Sequence, residues 1–114
     1  MEVNRIGLHG ILKNAMLSAG EEPHLYYQPP ENVKLVYPCV IYQLASFTSR
    51  YADNLPYHQY VHFDVTYITR SPKSEVPVEL VKTPNFNFDR YFVADNLHHY
   101  AYRYIESLKE ERND

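Results

Sequence analysis

The sequence predicts an α+β fold: a mostly antiparallel mixed β-sheet flanked by an N-terminal helix and a short central helix, in the order α-β-β-β-α-β-β. Three observations lead there. The N-terminal stretch repeats its apolar residues at helical spacing, later segments alternate or run continuously apolar as strands do, and prolines and turn residues punctuate the intervals. At 114 residues there is room for one domain, and folding at this size hides roughly 65% of the extended chain's surface in one modest core. We place that domain at residues 1–105 and a charged C-terminal tail at residues 106–114.

Leu8, Ile11, Leu12, Ala15, Met16 and Ala19 form one stripe of a helix over residues 4–19, with Asn4 to cap its start and Gly20 its end. Gly7 and Gly10 fall off that stripe and cost about 1 kcal/mol each relative to Ala inside a helix. Either another backbone approaches there, or these are tolerated surface positions. A short strand over residues 24–28 is stopped by Pro29 and Pro30, which cannot donate to a ladder. Residues 37–44 are nearly continuously apolar, the pattern of a strand buried on both faces, and residues 47–52 continue as a second strand before a turn at 53–56.

The clearest alternation lies in residues 57–69. Val61, Phe63, Val65 and Tyr67 fall on one side, and His58, Tyr60, His62, Asp64 and Thr66 on the other. One face packs on the core while the other is left for water or a partner. Ser74 caps a short helix reaching about Lys82, with Val76, Leu80 and Val81 on its buried side, Pro77 tolerated in the first turn and Pro84 ending it. Residues 86–93 and 98–105 read as strands around a turn at 94–97, and Tyr100, Tyr102 and Tyr104 share one strand face. The predicted core is Ile11, Leu12, Val40, Ile41, Val61, Phe63, Val65 and Leu80.

The net charge is −3, and acids and bases are interspersed. That argues against binding to nucleic acid or anionic lipid mainly by charge, which needs several cations on one surface. The single cysteine, Cys39, excludes an intrachain disulfide framework. No apolar run approaches the ~20 residues of a membrane span, and the N-terminus lacks a signal-peptide pattern, so the expectation is a soluble intracellular protein with no membrane partner. Twelve tyrosines and five phenylalanines, without tryptophan, suit half-buried surfaces such as sheet faces and subunit contacts.

Candidate chemistry is sparse. His58 and His62 share a strand face but lie roughly 13 Å apart along it, too far to chelate one metal at ~2 Å bonds. His98 and His99 point to opposite faces of a strand. Cys39, inside an apolar run, reads as a small hydrophobe, and Asp89 and Asp95 as turn supports. All three glycines precede position 21, so no glycine-rich phosphate loop is present. The expectation is a non-enzyme with no catalytic residue, metal site or organic cofactor.

Five phrases occur in order: residues 26–31 (YYQPPE), 34–42 (KLVYPCVIY), 51–57 (YADNLPY), 65–77 (VTYITRSPKSEVP) and 88–99 (FDRYFVADNLHH). Together they resemble a family of small tail terminator or tail completion proteins of long, non-contractile-tailed bacteriophages, also labelled neck or minor capsid proteins. The likeness spans roughly residues 5–103, and the phrase over 88–97 and the Tyr-Pro-Cys strand are its most specific parts. The chain departs from the family pattern in Arg103, set among tyrosines, and in residues 105–114.

The resemblance implies a structural virion protein, assembled in the host cytoplasm, whose partners are copies of itself in a hexameric ring, the tail tube protein and a head-completion or neck protein. DNA would pass through the lumen without specific binding. Candidate interface residues are Gln28, Glu31, Lys34, Arg50, Tyr51, Asp53, Asn54, Tyr57, Arg90, Asp95, Asn96, Tyr100, Tyr102 and Tyr104. The alternative is a small enzyme or ligand-binding α+β domain using the histidine-bearing face of the 57–69 strand.

Overall fold

The structure, a computed structural model, describes residues 2–52 and 55–108, with side chains described for residues 5–51 and 58–108. The elements are α1 (Glu2–Ser18), β1 (Leu25–Tyr27), β2 (Cys39–Ala52), β3 (Leu55–Thr69), α2 (Val76–Lys82), β4 (Phe86–Ala94) and β5 (Leu97–Ser107). Among the described residues, two helices and one five-stranded mixed sheet, ordered β1-β2-β3-β5-β4, bear out the α+β fold and its element order. β1 runs parallel to β2, and every other neighbouring pair is antiparallel.

β3 organises the sheet because its alternation separates the two faces. Val61, Phe63, Val65 and Tyr67 are fully buried and meet Leu8, Leu12, Ala15 and Met16 of α1 in one cluster with Val40, Tyr42, Leu80 and Phe86. The same face of β5 supplies Tyr102 and Tyr104, which pair across the ladder with Val65 and Phe63. Of the predicted core, Leu12, Val40, Val61, Phe63, Val65 and Leu80 are buried, while Ile11 lies at the cluster's margin. Ile41 alternates to the opposite face, where it is half-buried beside Thr66.

The end of α1 follows from Gly20. With φ at 76° it takes the left-handed conformation, its N–H reaches Leu17 O, and the N–H of Glu21 reaches Met16 O, which together make a Schellman cap. Asn4 lies inside α1, not before it, since the helix begins at Glu2. An added Cβ on Gly7 or Gly10 meets nothing within 4 Å, so no backbone approach explains these glycines and they are tolerated surface positions. The N-cap of α2 is Glu75 and not Ser74, although the Ser74 hydroxyl, one residue earlier, accepts the N–H of Val76; Val76 and Leu80 are buried. Val81, expected on that buried side, is exposed instead.

The strands depart from the sequence reading in several places, and β3 begins at Leu55, inside the expected turn at 53–56. Residues 39–52 form one continuous strand, with a register shift between Leu44 and Ser46 that absorbs the break in the apolar pattern. That strand is not buried on both faces, because Gln43 is exposed. Glu106 and Ser107 still belong to β5, and the N–H of Leu108 donates to Gln59 O, so the ordered fold passes the expected limit at residue 105.

His9 couples α1 to the sheet through a 2.7 Å hydrogen bond between its Nδ1 and the Tyr42 hydroxyl. Burial, with the positive charges of Arg5 and Lys13 one helical turn away on either side, holds the imidazole below its ordinary pKa. The neutral ring is therefore the form the fold favours. Its contribution is fully present above about pH 6.5 and declines as pH falls through that value, where the unfolded chain binds the proton more readily. Unfolding measured by denaturant between pH 7.5 and 5 should show stability falling with pH, and His9→Gln should flatten that slope. An unchanged slope in His9→Gln would contradict the assignment.

Candidate assembly interface

The β4–β5 hairpin closes through Asp95 and Asn96, whose φ values of 54° and 61° give the left-handed pair that matches strand twist in a two-residue turn. Asp and Asn are the non-glycine residues that best tolerate that conformation. β4 is thereby placed at the outer edge of the sheet. The helical layer reaches it only near Phe86, which is buried, and the neighbouring Tyr102 hydroxyl donates to Pro77 O of α2 at 3.0 Å.

Beyond Phe86 the strand is bare on both faces. Phe88 and Val93 are 50% and 54% exposed, and Tyr91 and Phe92 are also exposed. Their rings are nevertheless held in place. Tyr91 stacks on His98 at 5.9 Å and its hydroxyl bonds to His98 Nδ1 at 2.7 Å, while on the opposite face Phe92 stacks on His99 at 4.6 Å under the Arg90 guanidinium. Rigid, exposed aromatics gain contact area at small entropic cost. The strand carries no lysine or proline; Asp89, Arg90 and the register shift between Phe88 and Arg90 are its edge-blunting features.

A second bare edge lies on the other side of the sheet. β1 covers β2 only at Val40, Ile41 and Tyr42, and Gln28 extends that cover by taking the Leu44 N–H on its Oε1. From Ala45 to Ala52 the outer side of β2 has no strand partner among the described residues. Phe47 and Tyr51 on this stretch are 51% and 64% exposed.

The helix-free face of the sheet is polar, and several of its side chains pair with one another. Arg103 Nε donates to Asp64 Oδ1 at 2.8 Å, Thr48 bonds His62 at 2.9 Å, and His58 bonds Ser107 at 3.0 Å. Among the described residues no group of three or more His, Cys, Asp and Glu is placed to hold a metal ion, and no helix is long and apolar enough to cross a membrane. Cys39 is fully buried, and burial pushes its thiol up to about 11, so it stays protonated at neutral pH.

One further polar cluster ties loops to the sheet. Glu21 accepts hydrogen bonds from the Tyr67 and Ser74 hydroxyls at 2.6 Å each, and those two hydroxyls lie 2.6 Å apart. Burial, followed by the bond to Glu21, raises the Tyr67 phenol well above its ordinary range. Beside it, Glu21, Tyr37, Pro38, Thr69, Arg70 and Ser71 line a pocket of about 270 Å³. The cluster links the end of α1, β3 and the segment leading into α2, which is a structural task.

The expected interface residues fall into separate groups. Arg50 and Tyr51 sit on the bare stretch of β2, and Arg90, Asp95 and Asn96 on the exposed hairpin. Gln28, with φ at 44°, ends β1 by donating its N–H to Tyr42 O, and Glu31 and Lys34 are exposed on the connection to β2. Asp53 and Asn54 lie outside the described residues, as does the side chain of Tyr57. The tyrosine face is a correction: Tyr102 and Tyr104 are each 3% exposed and Tyr100 is half-buried, so these rings fill the subunit's own core. Burial pushes both Tyr102 and Tyr104 up to about 12.

Sequence reasoning missed Phe88, Tyr91, Phe92 and Val93. The available signal was the density of aromatic residues in a strand next to a hairpin turn. No protein family and no curated protein matches the chain.

Exposure makes the β4 rings nearly dispensable for folding of the isolated chain. Phe92→Ala should cost about 1 kcal/mol, whereas Phe63→Ala should cost about 3–5 kcal/mol, measured by denaturant unfolding of the dissociated protein. Equal losses would show that β4 belongs to the core and is no contact surface.

Proposed function

We propose that copies of this chain form a ring, sixfold by the family resemblance, that ends the tail tube of a long, non-contractile-tailed bacteriophage and joins it to the head-side neck. The observation that carries this reading is the pair of different bare surfaces on opposite sides of one sheet: the aromatic β4 edge and the distal half of β2. Contact between two unlike surfaces builds a ring when the rotation closes and a filament when it does not. A terminator must close, because it presents one end to the tube protein and the other to a head-completion or neck protein.

The ordered phrases over residues 26–99 support the same reading independently of the geometry. Passage of DNA without specific binding fits the charge pattern. The subunit carries a net −3 with acids and bases interspersed along the chain, so a ring of copies is acidic overall.

Deleting the gene from the phage should leave DNA-filled heads and free tails of irregular, excessive length, seen by electron microscopy of lysates. Mutant tails of normal length attached to heads would overturn the terminator role.

A further inference from the structure

The two bare edges fit one another in direction, length and side-chain character. β2 runs against β3, β3 against β5 and β5 against β4, so β4 is antiparallel to β2. A second copy set alongside, with its helices on the same side, therefore offers its β2 to β4 in the antiparallel sense, the slightly more favourable pairing per residue. β4 offers nine residues, and β2 is uncovered over a comparable length from Ala45 to Ala52.

The side chains agree with that placement. Phe88, Tyr91 and Val93 pair with Tyr102, Tyr100 and His98, which puts them on the helix-bearing side, and Phe47 shares that side through its pairing with Val61. Joining the edges sets Phe47 of one copy among the exposed rings of the next. On the other face Arg90 and Phe92 meet the row Ser46, Thr48 and Arg50. Asp89 and Arg90 together leave β4 without a net charge to repel Arg50.

The offset between the edges is also informative. The middle of β4, Arg90, is level through Ala101 with Thr66, whereas the middle of the bare β2 stretch, Thr48, is level with Tyr60. That separation along β3 is about 20 Å, while the repeat from β2 of one copy to β2 of the next, four strand spacings, is about 19 Å across the sheet. A joint that advances as far along the strands as across them tilts the strands about 45° to a ring axis, at the upper end of the 35–45° that sheet closure commonly uses.

We propose that β4 of one copy adds to the distal half of β2 of the next, making the sheet continuous across each subunit joint. Its closure rests on the ring proposed above; the pairing of the edges does not.

Cysteine pairs read the joint directly. Arg90→Cys is combined in one chain with Ser46→Cys, Thr48→Cys or Arg50→Cys, all exposed and on one face, and adjacent strands bring Cα atoms within disulfide range. Mild oxidation should give at least one double variant a ladder of covalent oligomers beyond the dimer, while each single variant stops at the dimer, with Cys39 buried in every case. Assemblies seen by sedimentation without a ladder from any pair would overturn the edge pairing and leave the ring reading standing. A protein that stays monomeric and unlinked at all concentrations would overturn the pairing too. A ladder in a protein whose deletion leaves normal, head-attached tails would uphold the pairing and remove the tail-terminating role.

Discussion

The alternation along β3 is the constraint on which the rest of the structure depends. Val61, Phe63, Val65 and Tyr67 bury one face of a central strand, and everything on that side is arranged to cover them. β3 pairs with β2 on one side and β5 on the other, so its register transmits the same inward and outward pattern to both neighbours. Tyr42, Tyr102 and Tyr104 are drawn inward by that register, and α1 and α2 close over them. The opposite face is left polar, where Asp64 and Arg103 meet across the β3–β5 ladder instead of each finding water alone.

The helical layer is too small to finish the job. α1 spends its buried stripe on the middle of the sheet, and the seven-residue α2 reaches only the start of β4. The sheet is therefore wider than its cover, and its outer strand keeps exposed aromatic side chains. The rings of Tyr91 and Phe92 are fixed by histidines on β5, which orders the surface before anything binds to it. In the proposed ring, neighbouring copies complete what the helices do not, and the subunit's incompleteness becomes the means of assembly.

Much of the fold was legible because it is written in period. The three-and-four spacing of α1 and the strict alternation of β3 have few other solutions, and Pro29, Pro84 and the Asp95-Asn96 pair mark real ends and turns. Burial of strand faces was harder to read. Tyr100, Tyr102 and Tyr104 have amphipathic side chains that serve a core or a contact equally well, and only the register with Phe63 and Val65 decides for the core. The edge position of β4 was not legible for a related reason. Its composition is that of an interior strand, and strand order depends on pairings between distant segments that local pattern does not encode. The continuous β2 was hidden by the shift near Leu44, where one irregularity interrupts the alternation without ending the strand.

These features support the proposal that copies of the chain form a closed assembly at the head-proximal end of a phage tail. The most direct measurement is an electron cryo-microscopy reconstruction of the intact virion. One ring of this chain is expected between the last tube ring and the neck, with density for its sheet running unbroken from β4 of each copy into β2 of the next. Finding the chain elsewhere in the particle, or absent from it, would contradict the account.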